Sequence, residues 1–372
     1  MNTYHRLYRY QMPMGVLISL LVFGACTVPK SEGSFDHSGT LRIVTWNVQT
    51  LFDGDEAGTE YDDYRAAAGW TEEKYRARLN SLAQGIGRIA AHGPDIIGLI
   101  ETENSQVLAD LVNGPLAVYG YHWTAFTAHP GAALGIGVVS RFPLTETRAH
   151  SITAQGETIP RPLLEVRLAP QDTPVVLFIC HWKSKLGGDS ATESSRRASA
   201  RVILRRLHEL EQENPRLAVV IMGDLNENHD EFYRSDPSIL SALLPDDPEA
   251  VERTGTTKQT FQEQQDFLIL SPHKPPRPEH FATDALALYS PWGTELQGGS
   301  YYYQGIWETI DHFLLPSALF DLSGWDFDTC MVINQEPFID AKGHPAPYNP
   351  RTGNGLSDHL PLMLTLKRDT TE

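Results

Sequence analysis

Cysteine is nearly absent from this chain of 372 residues, which carries three, and so a disulfide framework is not what holds it together. Basic residues are also in short supply: 30 Lys and Arg against 47 Asp and Glu give a formal net charge of -17. Affinity for duplex nucleic acid comes largely from Lys and Arg neutralising phosphates, so this balance argues against a protein that coats DNA. It leaves room for a nuclease with a local basic cleft or a bound cation. Motifs of other hydrolases are missing too. There is no His-Glu-x-x-His or paired CxxC for zinc, no Gly-x-Ser-x-Gly nucleophile elbow, and no GxxxxGK[ST] loop to cradle a nucleotide. No internal repeat is present.

What is present begins with an export signal over residues 1–25. A basic stretch leads into an apolar run from about Met14 to Ala25, shorter than the roughly 20 residues a membrane span needs. Val22-Phe23-Gly24-Ala25-Cys26 resembles a bacterial lipoprotein box, with Phe23 in place of the usual small or branched residue. Lipidation of Cys26 would anchor the protein to a membrane without spanning it, and residues 26–40, rich in Ser, Gly and charge, would form the tether. The expectation is an exported cell-envelope lipoprotein, in the periplasm or on the cell surface. Cys180 and Cys330 remain and could form one bridge, but strand alternation turns Cys180 away from its neighbour His181, which reads as a buried free thiol.

Helical and strand patterns then alternate over residues 41–368, as in a single layered α/β domain. A helix is predicted within Trp70–Ala91, capped by Thr71, with Leu79, Leu82, Ile86 and Ile89 inward. A second runs from about Thr192 to Glu213, with Ala198, Val202, Leu204 and Leu207 inward and Arg196, Arg197, Arg201, Arg205 and Arg206 reading as a solvated face. Asp246 to Tyr303 reads as long loops plus a strand or two. Its GGSYYYQG tract is turn and loop material whose tyrosines could stack on bases or sugars, or simply pack.

The most informative pattern is a series of apolar runs that end in polar groups: LRIVTWN at Asn47, DIIGLIETEN at Glu101, VVLFICHWKSK at His181, AVVIMGDLNE at Asp224 and Asn226, WETIDHFLL at Asp311, and GLSDHLPLMLTL at Asp358 and His359. A polar group at the edge of a core costs free energy unless it is paired or ligated. One such residue is commonly a turn former or helix cap. A series mixing oxygen ligands with histidines points instead to a metal-assisted phosphodiesterase.

These clusters resemble, in order and over nearly the whole chain from about Leu41 to Leu366, the endonuclease/exonuclease/phosphatase superfamily of DNase I-like nucleases, inositol phosphatases and sphingomyelinases. GDLNE at Gly223–Glu227 and SDHLP at Ser357–Pro361 carry the resemblance most specifically. It implies a four-layered sandwich, two packed, mainly antiparallel β-sheets flanked by helices. It implies Glu101, Asn47 and Asp358 as the metal shell, Asp224 as the carboxylate that activates water, and Asn226, His181 and His359 on the phosphate, with Asp311 fixing the His359 tautomer. The expected ion is Mg²⁺, with Mn²⁺ or Ca²⁺ possible. Arg161, in IPRPLLEV, could reach a phosphate or stay a surface residue.

The segment His181-Trp182-Lys183-Ser184-Lys185 resembles the His-x-Lys-Ser-Lys of secreted bacterial nucleases, which makes Lys183 and Lys185 candidate phosphate contacts and DNA, or RNA, the expected substrate. The alternative is a phospholipid or small phosphate ester on the same scaffold, and a further one is a catalytically silent surface-binding lipoprotein. No obligate protein partner is implied.

Overall fold

In β1 (Thr40–Leu51), Leu41 and Ile43 face one way and Val44, Trp46 and Val48 the other, so both faces of this strand are buried. A strand apolar on both faces must be covered on both, which builds layers. The computed structural model describes residues 39–255, 265–282 and 285–368. The expected signal segment, Cys26 and the tether up to residue 38 lie outside the described residues. Among those described, no helix is long and apolar enough to cross a membrane.

One sheet has six strands. It contains β1, β2 (Ile96–Thr102), β3 (Trp123–Thr127), β4 (Gly135–Ser140), β15 (Asp326–Val332) and β16 (Leu362–Lys367), in the order β15-β16-β1-β2-β4-β3. The second has five: β5 (Leu144–Ala154), β6 (Glu157–Leu168), β7 (Val175–His181), β8 (Ala218–Asp224) and β14 (Asp311–Leu314), in the order β14-β8-β7-β6-β5. Within these two sheets the pairings are antiparallel except β1 with β2 and β7 with β8. Leu41, Ile43, Ile96, Ile100 and Leu364 of the first sheet meet Val166, Leu177, Ile179, Val220 and Met222 of the second in one apolar layer. A Cβ on Gly98 would lie 2.6 Å from Met222 Cε, so a bare Cα here lets the two sheets close on each other.

Helices α1 (Glu72–Ile89) and α2 (Ser105–Asn113) cover the outer face of the first sheet, and α3 (Asp189–Glu213) covers that of the second. The architecture is the expected four-layered sandwich. Thr71 Oγ1 caps α1 by accepting from Lys74 N at 3.3 Å. Cys180 is a buried free thiol on the α3 side of β7. A small parallel sheet of β9 (Leu243–Pro245), β10 (Leu268–Ser271) and β11 (Ala287–Tyr289) and a hairpin of β12 (Tyr301–Tyr303) and β13 (Ile306–Glu308) complete the domain. The stretch from Asp246 to Tyr303, expected to be long loops plus a strand or two, holds three short strands, β10, β11 and β12, and a short helix over Pro248–Thr254 among its described residues.

Of the α3 arginines expected on a solvated face, Arg201 and Arg205 are exposed, but Arg196 and Arg206 are buried. Arg196 is 1 % exposed and donates to Glu227 Oε1 and Glu193 Oε2, each at 2.7 Å. Arg206 grips Glu165 from both sides, Nε to Oε2 at 2.9 Å and Nη2 to Oε1 at 3.0 Å. Arg197 and Arg201 share Asp266, and Arg205 alone of this set is both exposed and without an ion pair among the described residues. The reason is that Glu165 and Glu227 rise from the layer beneath α3, where a buried carboxylate needs a cation.

Candidate active site

At one end of the sandwich the inter-sheet layer turns from apolar to polar. Strand alternation carries Leu41 and Ile43 on to Asn47, Leu177 and Ile179 to His181, and Val220 and Met222 to Asp224, all on the same face of their strands. Asp311 precedes Phe313 on that face of β14 and lies opposite Asp224 in register, while His181 lies opposite Asp224 on the other side. These four side chains come from both sheets and are at most 5 % exposed.

Glu101 arrives differently. Alternation in β2 would send it to the helix side with Leu99, but the pairings of β2 with β1 and β4 both shift register here, and Glu101 has φ +67°. Such a bulge re-aims a side chain. Its carboxylate accepts from Asn47 Nδ2 at 3.2 Å and Thr50 N at 3.0 Å, and Asn47 Nδ2 also donates to Asp224 Oδ2 at 3.1 Å. Asp224 is set by Gly223, whose φ of +139° and close approach to Cys180 O, 2.0 Å from an ideal Cβ, leave no room for another residue. Burial first, then the Asp311 charge, raises the Asp224 carboxyl to about 7.

The two histidines are held in different protonation states. Arg161 Nη1 lies 3.0 Å from His181 Nδ1. A guanidinium can only donate, so Nδ1 accepts and the ring proton sits on Nε2, which faces Glu101 Oε1 at 3.9 Å and Asp224 Oδ2 at 3.8 Å. Burial, with the charge of Arg161, lowers the His181 pKa well below its ordinary value, and the ring is neutral. His359 is the reverse: burial alone would lower it, but Asp311, at 2.8 Å from Nδ1, together with the charges of Asp358 and Asp224, outweighs burial and raises it to about 10. Ser300 Oγ donates to the same Asp311 Oδ2 at 2.6 Å.

Other expected residues are placed with less symmetry. Asn226 does not continue β8; it has φ +52°, its N–H donates to Asp224 Oδ1 at 3.0 Å, and its Nδ2 donates to Trp182 O at 3.2 Å. Asp358 is tied through its backbone N–H to Gln49 Oε1 at 3.1 Å, and no side-chain hydrogen bond joins its carboxylate to the others among the described residues. Lys183 is close enough for its charge to help lower His181. Lys185 is already engaged, its Nζ 2.5 Å from Glu231 Oε2, and it braces the loop after β8. His312 faces away from the site and bonds Glu227 O at 2.8 Å, as alternation requires.

Residues 42–260 match the model of the Endonuclease/Exonuclease/phosphatase family. The chain belongs to that family. Asp311 and His359 lie beyond the matched stretch, and it is the fold that returns them to Asp224. Solved structures similar to this endonuclease/exonuclease/phosphatase protein include humanized D. rerio TDP2, at 17% identity and TM-score 0.51, covering 89% of this chain and 100% of that one. Truncated Caenorhabditis elegans TDP2 has 13% identity and TM-score 0.51, with 88% and 97% covered. A Bacteroides thetaiotaomicron protein of the same family has 14% identity and TM-score 0.51, with 90% and 96% covered. At these identities the likeness is one of fold. No curated protein matches the chain.

As a member of the family, the protein is a metal-dependent phosphoester hydrolase. The donors present fit a hard divalent cation: two carboxylates, Glu101 and Asp224, converge on the Asn47 amide and on His181 Nε2, and Glu101 keeps 22% of its side chain open to solvent. Asp224, Asp311 and His359 also offer ligand atoms within 4.8 Å of one another. Within that triad only His359 and Asp311 are hydrogen-bonded, Nδ1 to Oδ2 at 2.8 Å, which orients the ring beside Asp224. The Tyr301 ring stacks on His359 at 4.5 Å and 30°, so the tyrosine tract, expected to stack on bases or sugars or to pack, reaches the site.

Proposed function

We propose that the protein is an exported, Mg²⁺-dependent nuclease of the cell envelope that hydrolyses DNA, and RNA if its sugar tolerance allows, anchored through lipid on Cys26. The observation that carries the chemistry is the meeting of Glu101, Asn47 and Asp224 with His181 and His359 at the end of the inter-sheet layer.

A divalent cation held by Glu101, and by Asn47 once its amide oxygen turns from Gln49 N, would supply positive charge to the phosphoryl oxygens when bound. Asp224, with a carboxyl near neutrality, takes the proton of the attacking water as the new P–O bond forms in line with the one that breaks. His181 Nε2–H and the His359 imidazolium donate toward the non-bridging oxygens, where negative charge grows. Asp311 and Ser300 keep His359 charged and oriented, and Arg161 keeps His181 in its donating tautomer. Water attacks directly, so no covalent enzyme intermediate forms.

The nucleic-acid reading is supported by Lys183 and Arg161 beside His181, a cationic rim on an otherwise acidic protein. The test is nicking of supercoiled plasmid by the purified full-length protein with Mg²⁺, with chelator, and with His359→Ala. Metal-dependent nicking lost in the variant supports the proposal. Plasmid, single-stranded DNA and RNA all left intact with Mg²⁺, Mn²⁺ and Ca²⁺ refute it, and hydrolysis of phospholipid or small phosphate esters would then establish the alternative.

A further inference from the structure

We infer that Tyr303, with Tyr301 beside it, is a stacking subsite for the nucleobase adjoining the scissile phosphate, and that the preferred substrate is a strand with unpaired bases. The inference rests on the nuclease reading above.

Three rings run outward from the site. Tyr301 stacks on His359, and Tyr303 follows it at 6.0 Å with planes 13° apart. Tyr303 is 52% exposed, and Ile306, its cross-strand partner, is 59% exposed. Exposing two large apolar side chains next to a reaction centre wastes burial unless something covers them. Core packing does not explain the arrangement. The residue that packs is Tyr302, on the opposite face of β12, stacked on His344 at 3.8 Å and beside Trp307 at 5.2 Å.

The platform is rigid before any ligand arrives. Tyr301 forms a β-bridge with His359, Leu360 N donates to Ser300 O at 2.7 Å, Ser300 N to Glu308 O at 2.9 Å, and Ser300 Oγ to Asp311. Gln304 Nε2 holds the Tyr303 hydroxyl at 3.2 Å. A ring already oriented loses little entropy on stacking. Burial raises the Tyr301 pKa, so that phenol is neutral, and a neutral aromatic face selects another flat ring rather than a phosphate. Bases inside a duplex are already stacked on each other, so only an unpaired base can lie on this face. Base-on-aromatic stacking is sequence-tolerant, which suits a degradative enzyme.

The test compares full-length wild type, Tyr303→Ala, Tyr303→Phe and Tyr303→Trp, with Mg²⁺, on a single-stranded oligothymidylate and on the same strand with abasic sugars flanking the cleaved bond. The readout is the ratio of kcat/KM on the first substrate to that on the second. Tyr303→Ala lowers this ratio about 5- to 140-fold, equivalent to roughly 1–3 kcal/mol of stacking, chiefly through KM. Tyr303→Phe holds it near wild type, and Tyr303→Trp raises it. A ratio unchanged in Tyr303→Ala, or lowered equally in Tyr303→Phe, overturns the subsite. Wild type that cleaves both strands equally well, or that cleaves neither while nicking plasmid, also overturns it and leaves the nuclease intact, whereas wild type that cleaves neither strand nor plasmid refutes the nuclease reading itself.

Discussion

Glu165 offers a measurement in which structure sets both the size and the sign of the effect. It lies beneath α3, where it accepts from Arg206 on both oxygens and from His150 Nε2 at 2.6 Å. Burial alone would raise its pKa from 4.5, but the hydrogen bonds of His150 and Arg206 outweigh burial and lower it to about 2. At about 1.36 kcal/mol per pKa unit, that difference corresponds to roughly 2–3 kcal/mol of folding stability, the lower figure allowing for solvent at the His150 edge, 18% exposed. A depressed carboxylate contributes fully above its unfolded value and loses its contribution as pH falls through its folded one. Glu165→Gln, which resembles the protonated acid in shape, is therefore less stable than wild type by that amount at pH 7. The gap narrows below about pH 4.5 and closes near pH 2. Urea unfolding followed by tryptophan fluorescence at a series of pH values reads it directly. A gap under about 1 kcal/mol at pH 7, or one that does not change with pH, would refute the reasoning.

Other expectations concern the site. Asp311→Asn removes the charge that keeps His359 protonated against burial, and kcat should fall about a hundredfold to a thousandfold with KM little changed. Steady-state kinetics on a defined oligonucleotide checks this, and a loss confined to KM would contradict it. Arg161→Gln frees the His181 tautomer and should cost about tenfold to a hundredfold in kcat at unchanged thermal stability. A loss of activity that tracks a lower melting temperature would instead make Arg161 a structural residue. Gly223→Ala forces a side chain at φ +139° into Cys180 O and should lower stability by roughly 3 kcal/mol or more, measurable by denaturant titration; a stable, active variant would show that the β8 end can re-form. Chelation should abolish turnover while leaving the circular dichroism spectrum unchanged, because the donors stand on strand ends that the two-sheet core already holds.

Much of this was legible in the sequence because two-residue alternation is a strict rule inside a covered sheet. It places His181 against Cys180, and Asp311 against His312, on opposite faces without any structure. It fails where the backbone leaves the β region. Glu101 sits at a bulge with φ +67° and Asn226 in a turn with φ +52°, and no side-chain pattern announces either. Charge was harder still. Arg196 and Arg206 look solvated, and Lys185 looks free to meet a phosphate, because their carboxylate partners, Glu227, Glu165 and Glu231, are 31, 41 and 46 residues away in sequence. The tyrosine tract was read as loop because β12 is three residues long, too short for periodicity to show.

The bulge at Glu101 and the turn at Asn226 mean that each polar group stands where a strand gives way to a connecting segment. Catalysis and selectivity therefore reside in separable parts of the chain. The floor, made of strand ends clamped between two sheets, tolerates little change, whereas the rim, including the β12–β13 hairpin, can be lengthened, shortened or recoloured with new side chains while the floor stays in register. A family built this way can diversify what it hydrolyses without redesigning how, and grafting another rim onto this floor is the natural route to a new specificity.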